Sequence, residues 1–80
     1  MNLKEIFGKN VKYYRFKNHL TQENLADILN VSPNYISRLD LGKHNPSLNM
    51  IDKLSKALNI EPSELFIKLI KLLYLLGLIC

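Results

Sequence analysis

The sequence predicts an all-α fold: one small domain of five short helices, followed by an apolar helical extension at the C-terminus. Apolar residues recur every three or four positions along nearly the whole chain, which is the spacing of one face of a helix. The alternation of apolar and polar residues that is typical of strands is absent from the sequence. The 80 residues are enough for a single core.

The first helix is predicted from Leu3 to Lys17 and ends at the pair Asn18-His19. Its apolar face is formed, at steps of four and three residues, by Phe7, Val11 and Tyr14. The second helix begins after Thr21, whose hydroxyl can accept from a free N–H of the first turn, and it ends near Asn30. Its apolar positions are Leu25, Ala26 and Leu29.

The third helix is predicted from Pro33 to Leu41. Ser32 is a favoured N-cap, and proline suits the first helical position because the N–H that it lacks has no partner there. Gly42 indicates the end of this helix. Ser47 begins a fourth helix, and Glu61-Pro62 begins a fifth. The apolar positions of these three helices are Ile36 and Leu39, then Ile51, Leu54, Ala57 and Leu58, then Leu65 and Phe66.

Only three residues, Asn30, Val31 and Ser32, separate the second helix from the third, so the two helices must cross at a steep angle. So tight a turn usually needs a residue with positive φ, which asparagine tolerates best after glycine. Ala26 is small where the helices approach each other. Val31 and Ile36 are expected to fill the wedge between them.

The formal charge of the chain is +4, and its excess positive charge lies near the N-terminus. Residues 1–20 carry five basic residues and one acidic residue, whereas residues 21–60 are balanced. This distribution favours a polyanionic partner, although many solvated helix faces have a similar charge. The single cysteine, Cys80, excludes a disulfide or a cysteine metal site within one chain, so we expect an intracellular protein. The charged N-terminus is not that of a signal peptide.

The central segment of the chain, residues 20–41, reads LTQENLADILNVSPNYISRLDL. It resembles the Cro/C1-type (XRE-like) helix-turn-helix family, whose usual pattern is close to LTQ-x-x-LA-x-x-x-G-VS-x-x-x-IS-x-x-E-x-G-x-x-x-PS. The resemblance continues without gaps to residue 66 and extends back to Phe7, Val11 and Arg15. It implies a lambda-repressor-like domain whose third helix enters the major groove of double-stranded DNA. The implied function is sequence-specific regulation of transcription, by a repressor or autoregulator.

The resemblance also assigns candidate base-reading residues, namely Ser32, Pro33, Asn34, Ser37 and Arg38. Arg38 can bond bidentately to guanine and Asn34 to adenine, whereas Pro33 offers only an apolar contact, for example to a thymine methyl group. Contact with phosphate alone, or a surface ion pair, is the alternative for Arg38. Candidate phosphate ligands are Gln22, Tyr35, Lys43, His44 and Asn45. Gln22 could also be a solvated residue of the first turn, and the position of Tyr35 places it beside the reading face rather than in the core.

Within the family, an arginine late in the first helix pairs with an acid just after the reading residues. The resemblance therefore implies a structural ion pair between Arg15 and Asp40, although glutamate is more usual than aspartate at the second position. Two further departures from the family pattern concern loop geometry or stability. Leu41 stands where a polar residue is common, and His19 stands where glycine is common.

The C-terminal tail, residues 67–80, is far more apolar than a small bundle can bury. Its uncharged stretch, residues 72–80, is shorter than the roughly 20 residues that span a bilayer. We therefore divide the chain into a helix-turn-helix domain, residues 1–66, and a tail that dimerises two copies through residues 66–79. Two-fold symmetry would suit a palindromic operator. Peripheral contact with a membrane, or with a partner protein, is the alternative for the tail.

No catalytic constellation, metal-ligand cluster or cofactor motif is present in the sequence, so the prediction is a non-enzyme without metal or cofactor. The leading hypothesis is a cytoplasmic transcriptional regulator, encoded by a bacterium or a phage and associated with the nucleoid. The rival hypothesis is a protein-interaction module that retains the fold while its tail recruits a partner. Gln22, Asn34, Arg38 and Lys43 together favour the first.

Overall fold

The computed structural model describes residues 2–67, so the predicted tail lies outside the described residues apart from Ile67. Four α-helices follow one another: α1 (Leu3–Lys17), α2 (Gln22–Leu29), α3 (Pro33–Asp40) and α4 (Leu48–Ala57). A short 3-10 helix, Pro62–Phe66, completes the described chain. Residues 2–67 contain no strand, which confirms the all-helical prediction.

The helices α2, α3 and α4 each begin just after a residue with a side-chain hydroxyl. The side-chain oxygens of Thr21, Ser32 and Ser47 each accept the backbone N–H three residues further on, at 3.0, 3.2 and 3.1 Å. Asn2 caps α1 in the same manner, a cap that the sequence reading did not identify. These bonds satisfy donors that have no partner within the helix, so each start is determined locally.

The core lies where the helical faces meet. The helices α1 and α3 pack against each other, as do α2 and α3, and α4 closes the bundle against α2 and the 3-10 helix. The most deeply buried apolar side chains are Phe7, Val11, Leu25, Ala26, Ile36, Leu39, Leu54, Leu58 and Leu65. The sequence had placed all of them on apolar helical faces.

The fifth helix is a single 3-10 segment rather than the α-helix that the sequence predicted. Glu61, at its N-cap, makes no side-chain capping bond, and Ile67 is already extended. The amide of Asn10, buried in α1, donates to the carbonyl oxygens of Leu65 and Ile67 at 2.8 and 3.0 Å. Because these carbonyls bond to a side chain, tertiary contact rather than helical periodicity determines the conformation of the segment.

One glycine sets how closely α1 approaches α3. A Cβ atom added at Gly8 would overlap the carbonyl oxygen of Leu39. Glycine inside a helix costs about 1 kcal/mol relative to alanine. This cost is offset here because the two backbones come into direct contact.

Within residues 2–67, no helix combines the length and the apolar character needed to cross a membrane.

Candidate nucleic-acid interface

The corner between α2 and α3 has the predicted geometry. Asn30 adopts the left-handed conformation, with φ 58° and ψ 47°, and the N–H of Val31 donates to the carbonyl of Ala26 at 3.0 Å. Ala26 and Ile36 are fully buried at the crossing. The start of α3 therefore faces outward, while the opposite edge of α3 is anchored in the core.

The candidate base readers occupy the first two turns of α3. Pro33, Asn34 and Arg38 are exposed, and Ser37 is half-buried. Among the described residues, no hydrogen-bond or ion-pair partner is found for the side chains of Asn34 and Arg38. Ser32 differs from them, because its hydroxyl oxygen already accepts from the backbone of Tyr35.

Tyr35 lies between this surface and the core. It is half-buried and packs against the core cluster, so the prediction that it lies beside the reading face rather than in the core was only partly correct. Its ring stands edge-on to that of His44, with the centroids 4.6 Å apart. Burial raises the pKa of the Tyr35 hydroxyl, because desolvation disfavours the phenolate, so the group remains a hydrogen-bond donor at neutral pH.

The loop after α3 carries the other candidate phosphate ligands. Lys43 and Asn45 are exposed, and His44 is half-buried against Tyr35. Gly42 begins this loop with φ 71°, in the left-handed region. The end of α3, predicted at Leu41, lies at Asp40 with Leu41 as the C-cap, so the prediction is confirmed to within one residue.

A buried polar cluster joins three helices behind the reading surface. The Arg15 guanidinium donates to Asp40 Oδ2 at 2.9 Å and to the carbonyl of Leu20 at 3.1 Å. The amide Nε2 of Gln22 donates to the same oxygen of Asp40 at 3.1 Å. Asp40, at the end of α3, therefore holds both the end of α1 and the start of α2.

The bond from Gln22 was not foreseen from the sequence, which predicted either a phosphate ligand or a solvated residue of the first turn. No pattern in the sequence pointed to this bond, because Gln22 and Asp40 are 18 residues apart and lie on different helices. An amide nitrogen carries two hydrogens, so Gln22 can donate one to Asp40 and the other outward. Leu41, by contrast, is an exposed C-cap without a role in this cluster.

The tight turn between α2 and α3 and the outward polar edge of α3 define a helix-turn-helix protein of the DNA-binding class. The helix-turn-helix family model matches residues 11–65. The chain belongs to this family, in its Cro/C1-type (XRE) branch of transcriptional regulators.

Relatives of the chain include two proteins of similar length. Control protein C.BamHI of Bacillus amyloliquefaciens is 38% identical over 65 residues, covering 80% of each chain. Control protein C.SmaI of Serratia marcescens is 38% identical over 65 residues, covering 81% of this chain and 77% of the relative. The structure is also similar to the crystal structure of the restriction-modification controller protein C.AhdI from Aeromonas hydrophila. For that pair the TM-score is 0.74 and the identity 38%, over 79% of this chain and 96% of the other.

Proposed function

We propose that the chain binds a specific operator in double-stranded DNA with α3 in the major groove. The observation that carries this proposal is the pair Asn34 and Arg38 on the outer face of α3. Residues four apart on a helix lie side by side, about 5–6 Å between Cβ atoms, so both can reach neighbouring base pairs. Neither has a partner among residues 2–67, and the opposite edge of α3 is held rigidly by Ile36 and Leu39.

Within this proposal Arg38 reads guanine and Asn34 reads adenine, each through two hydrogen bonds. Pro33 contributes an apolar contact, while Ser32 and Ser37 supply hydroxyl groups at the edge of the same face. In this proposal, these contacts distinguish one DNA sequence from another.

The remaining contacts orient the domain without conveying sequence. The proposed phosphate ligands surround α3: Gln22, Tyr35, Lys43, His44 and Asn45. Gln22 uses its second amide hydrogen, and the Tyr35 hydroxyl donates in its protonated form.

The biological role that we propose is that of a repressor or autoregulator, because the relatives named above are control proteins. C.AhdI is a controller protein of a restriction-modification system, and its 38% identity over 79% of this chain supports the proposal of a similar role. We infer that the chain acts by binding rather than by catalysis. Its place of action is then the cytoplasm of a bacterial cell, on the nucleoid.

The chain is proposed to act as a homodimer, held by residues 66–79. Phe66 and Ile67, the last described residues, are both partly exposed, and the sequence that follows is apolar. Two copies related by a two-fold axis would place their α3 helices on half-sites about one helical turn apart. A membrane surface or a partner protein is the alternative occupant for the tail.

Selection of bound sequences from a random duplex pool tests the DNA-binding proposal. The expected product is an enriched palindrome whose half-sites are about 10 base pairs apart, centre to centre. Failure to enrich any sequence, by a chain that is folded by circular dichroism, would favour the protein-interaction module instead.

A further inference from the structure

The positive charge of the described chain is concentrated on α1 rather than on α3. Four lysines and one arginine face a single glutamate within residues 1–20. The cations of residues 21–60 are balanced by acids, and Arg15 is paired with Asp40. Because affinity for DNA comes largely from phosphate neutralisation, the lysines of α1 are the available source of that attraction.

The end of α1 borders the proposed reading surface. A cleft of about 440 Å³ is lined jointly by Phe16 and His19, from the end of α1 and the turn after it, and by Gln22 and Pro33. Gln22 is the proposed phosphate ligand at the start of α2, and Pro33 is the first residue of α3. DNA that reaches these two residues therefore also lies beside Phe16 and His19.

One aromatic residue that lines the cleft, Phe16, lies close to a lysine that is not itself part of the lining. Phe16 is 58% exposed, and Lys12 Nζ lies 5.8 Å from the centre of its ring. The Arg15 guanidinium is closer, at 4.8 Å, but it is already engaged by Asp40. A deoxyribose has an apolar face next to an anionic phosphate, and the pair Phe16 and Lys12 complements both.

We propose that Lys12, Phe16 and His19 form an α1 patch that binds the sugar-phosphate backbone next to the phosphate held by Gln22. This inference rests on the proposed DNA-binding function and extends its footprint beyond α3. Lys12 supplies the charge, Phe16 packs on the sugar, and His19 donates to a phosphate oxygen from the turn where its φ of 58° fixes the backbone. Glu23 also lines the cleft, and because its carboxylate repels an anion, the proposal places the phosphate on the α1 side.

A matched control lies on the same helix. Lys17 is an exposed lysine whose Nζ lies 6.0 Å from the rings of Tyr13 and Tyr14, much as Lys12 lies over Phe16. It lines a different cleft, together with Asn18 and Leu58. Replacing either lysine by alanine removes one charge from α1, and only Lys12 belongs to the α1 patch.

The test measures the association constant of the full-length chain for its selected duplex and for a random duplex over a range of salt concentrations. Lys12→Ala is expected to weaken binding to both duplexes by the same factor. It should also reduce the salt slope, the steepness with which the logarithm of the association constant falls with the logarithm of the salt concentration, by about 0.9. When the salt concentration rises from about 50 to 200 mM, the fold-loss of affinity is then about 3.5 times smaller for the variant than for the unmodified chain. Phe16→Ala should weaken binding while changing the slope less, because it removes no charge.

Two outcomes overturn the α1 patch alone. The first is a salt slope for Lys12→Ala equal to that of the unmodified chain. The second is a reduction of the salt slope by Lys17→Ala as large as the reduction by Lys12→Ala. If the unmodified chain binds no duplex, the proposed function fails, and the α1 patch fails with it. A reduced slope for Lys12→Ala with an unchanged slope for Lys17→Ala supports the patch.

Discussion

The guanidinium of Arg15 and the carboxylate of Asp40 lie 2.9 Å apart, and each side chain is only 5% exposed. They join α1 to α3 across 25 residues of sequence. Two of their buried polar atoms, Arg15 Nε and Asp40 Oδ1, have no hydrogen-bond partner within the described structure. The pair is therefore sensitive to the loss of either member, because the remaining charge would have little else to compensate it.

Asp40→Ala should lower the free energy of unfolding by about 3–5 kcal/mol, because it leaves Arg15 charged and buried. Urea denaturation followed by circular dichroism measures the change, and a variant already unfolded in buffer also fulfils the prediction. Asp52→Ala is the matched control. It removes the partner of Lys56, which lies 3.2 Å away with the two side chains 77% and 55% exposed, and should cost below about 1 kcal/mol. Equal losses in the two variants would contradict a structural role for the Arg15–Asp40 pair.

Gly8→Ala should destabilise the protein, although alanine has the better helix propensity. The added methyl group meets the backbone carbonyl of Leu39, which cannot rotate away, so the helices must separate. Overpacking of this kind costs about 1–3 kcal/mol. Thermal unfolding measures the effect, and Lys9→Ala, at the exposed neighbouring position, should change stability little. A Gly8→Ala protein as stable as the original would show that α1 and α3 are not in direct backbone contact.

Arg38→Ala should reduce affinity for the selected operator by about 1–3 kcal/mol and relax the preference at one base pair. Lys43→Ala should instead weaken binding to all sequences alike and reduce the salt slope by about one. Titration against operators mutated at single base pairs distinguishes the two patterns. Unchanged selectivity in Arg38→Ala would remove Arg38 from the base readers.

Truncation after Ile67 should give a folded monomer in sedimentation velocity, because all but the first two residues of the proposed dimerising segment are removed. The two carbonyls that Asn10 binds remain in this variant, so the described core keeps its contacts. A truncated chain that still sediments as a dimer would show that the interface lies within residues 1–67.

The starts of α2, α3 and α4 were predictable because the interactions that set them are local. Thr21, Ser32 and Ser47 each act within three residues, and Asn30 adopts its positive φ within a three-residue turn. His19, where the family commonly has glycine, also has a positive φ. The candidate base readers could be placed for the same reason, since α3 is defined at both ends by local signals.

The sequence by itself determined the helical faces, the corner between α2 and α3, and the exposure of Asn34 and Arg38 on one side of a short helix. Tertiary structure decided how the helices are held together: the contact of Gly8 with α3, the bond from Gln22 to Asp40, and the 3-10 conformation of the last segment. The two hydrogen bonds from Asn10 join residues that are separated by 55 and 57 positions in the sequence. The bond from Gln22 joins residues that are separated by 18 positions. Local propensity acts over one helical turn, so contacts across such distances depend on how the packed helices bring the side chains together.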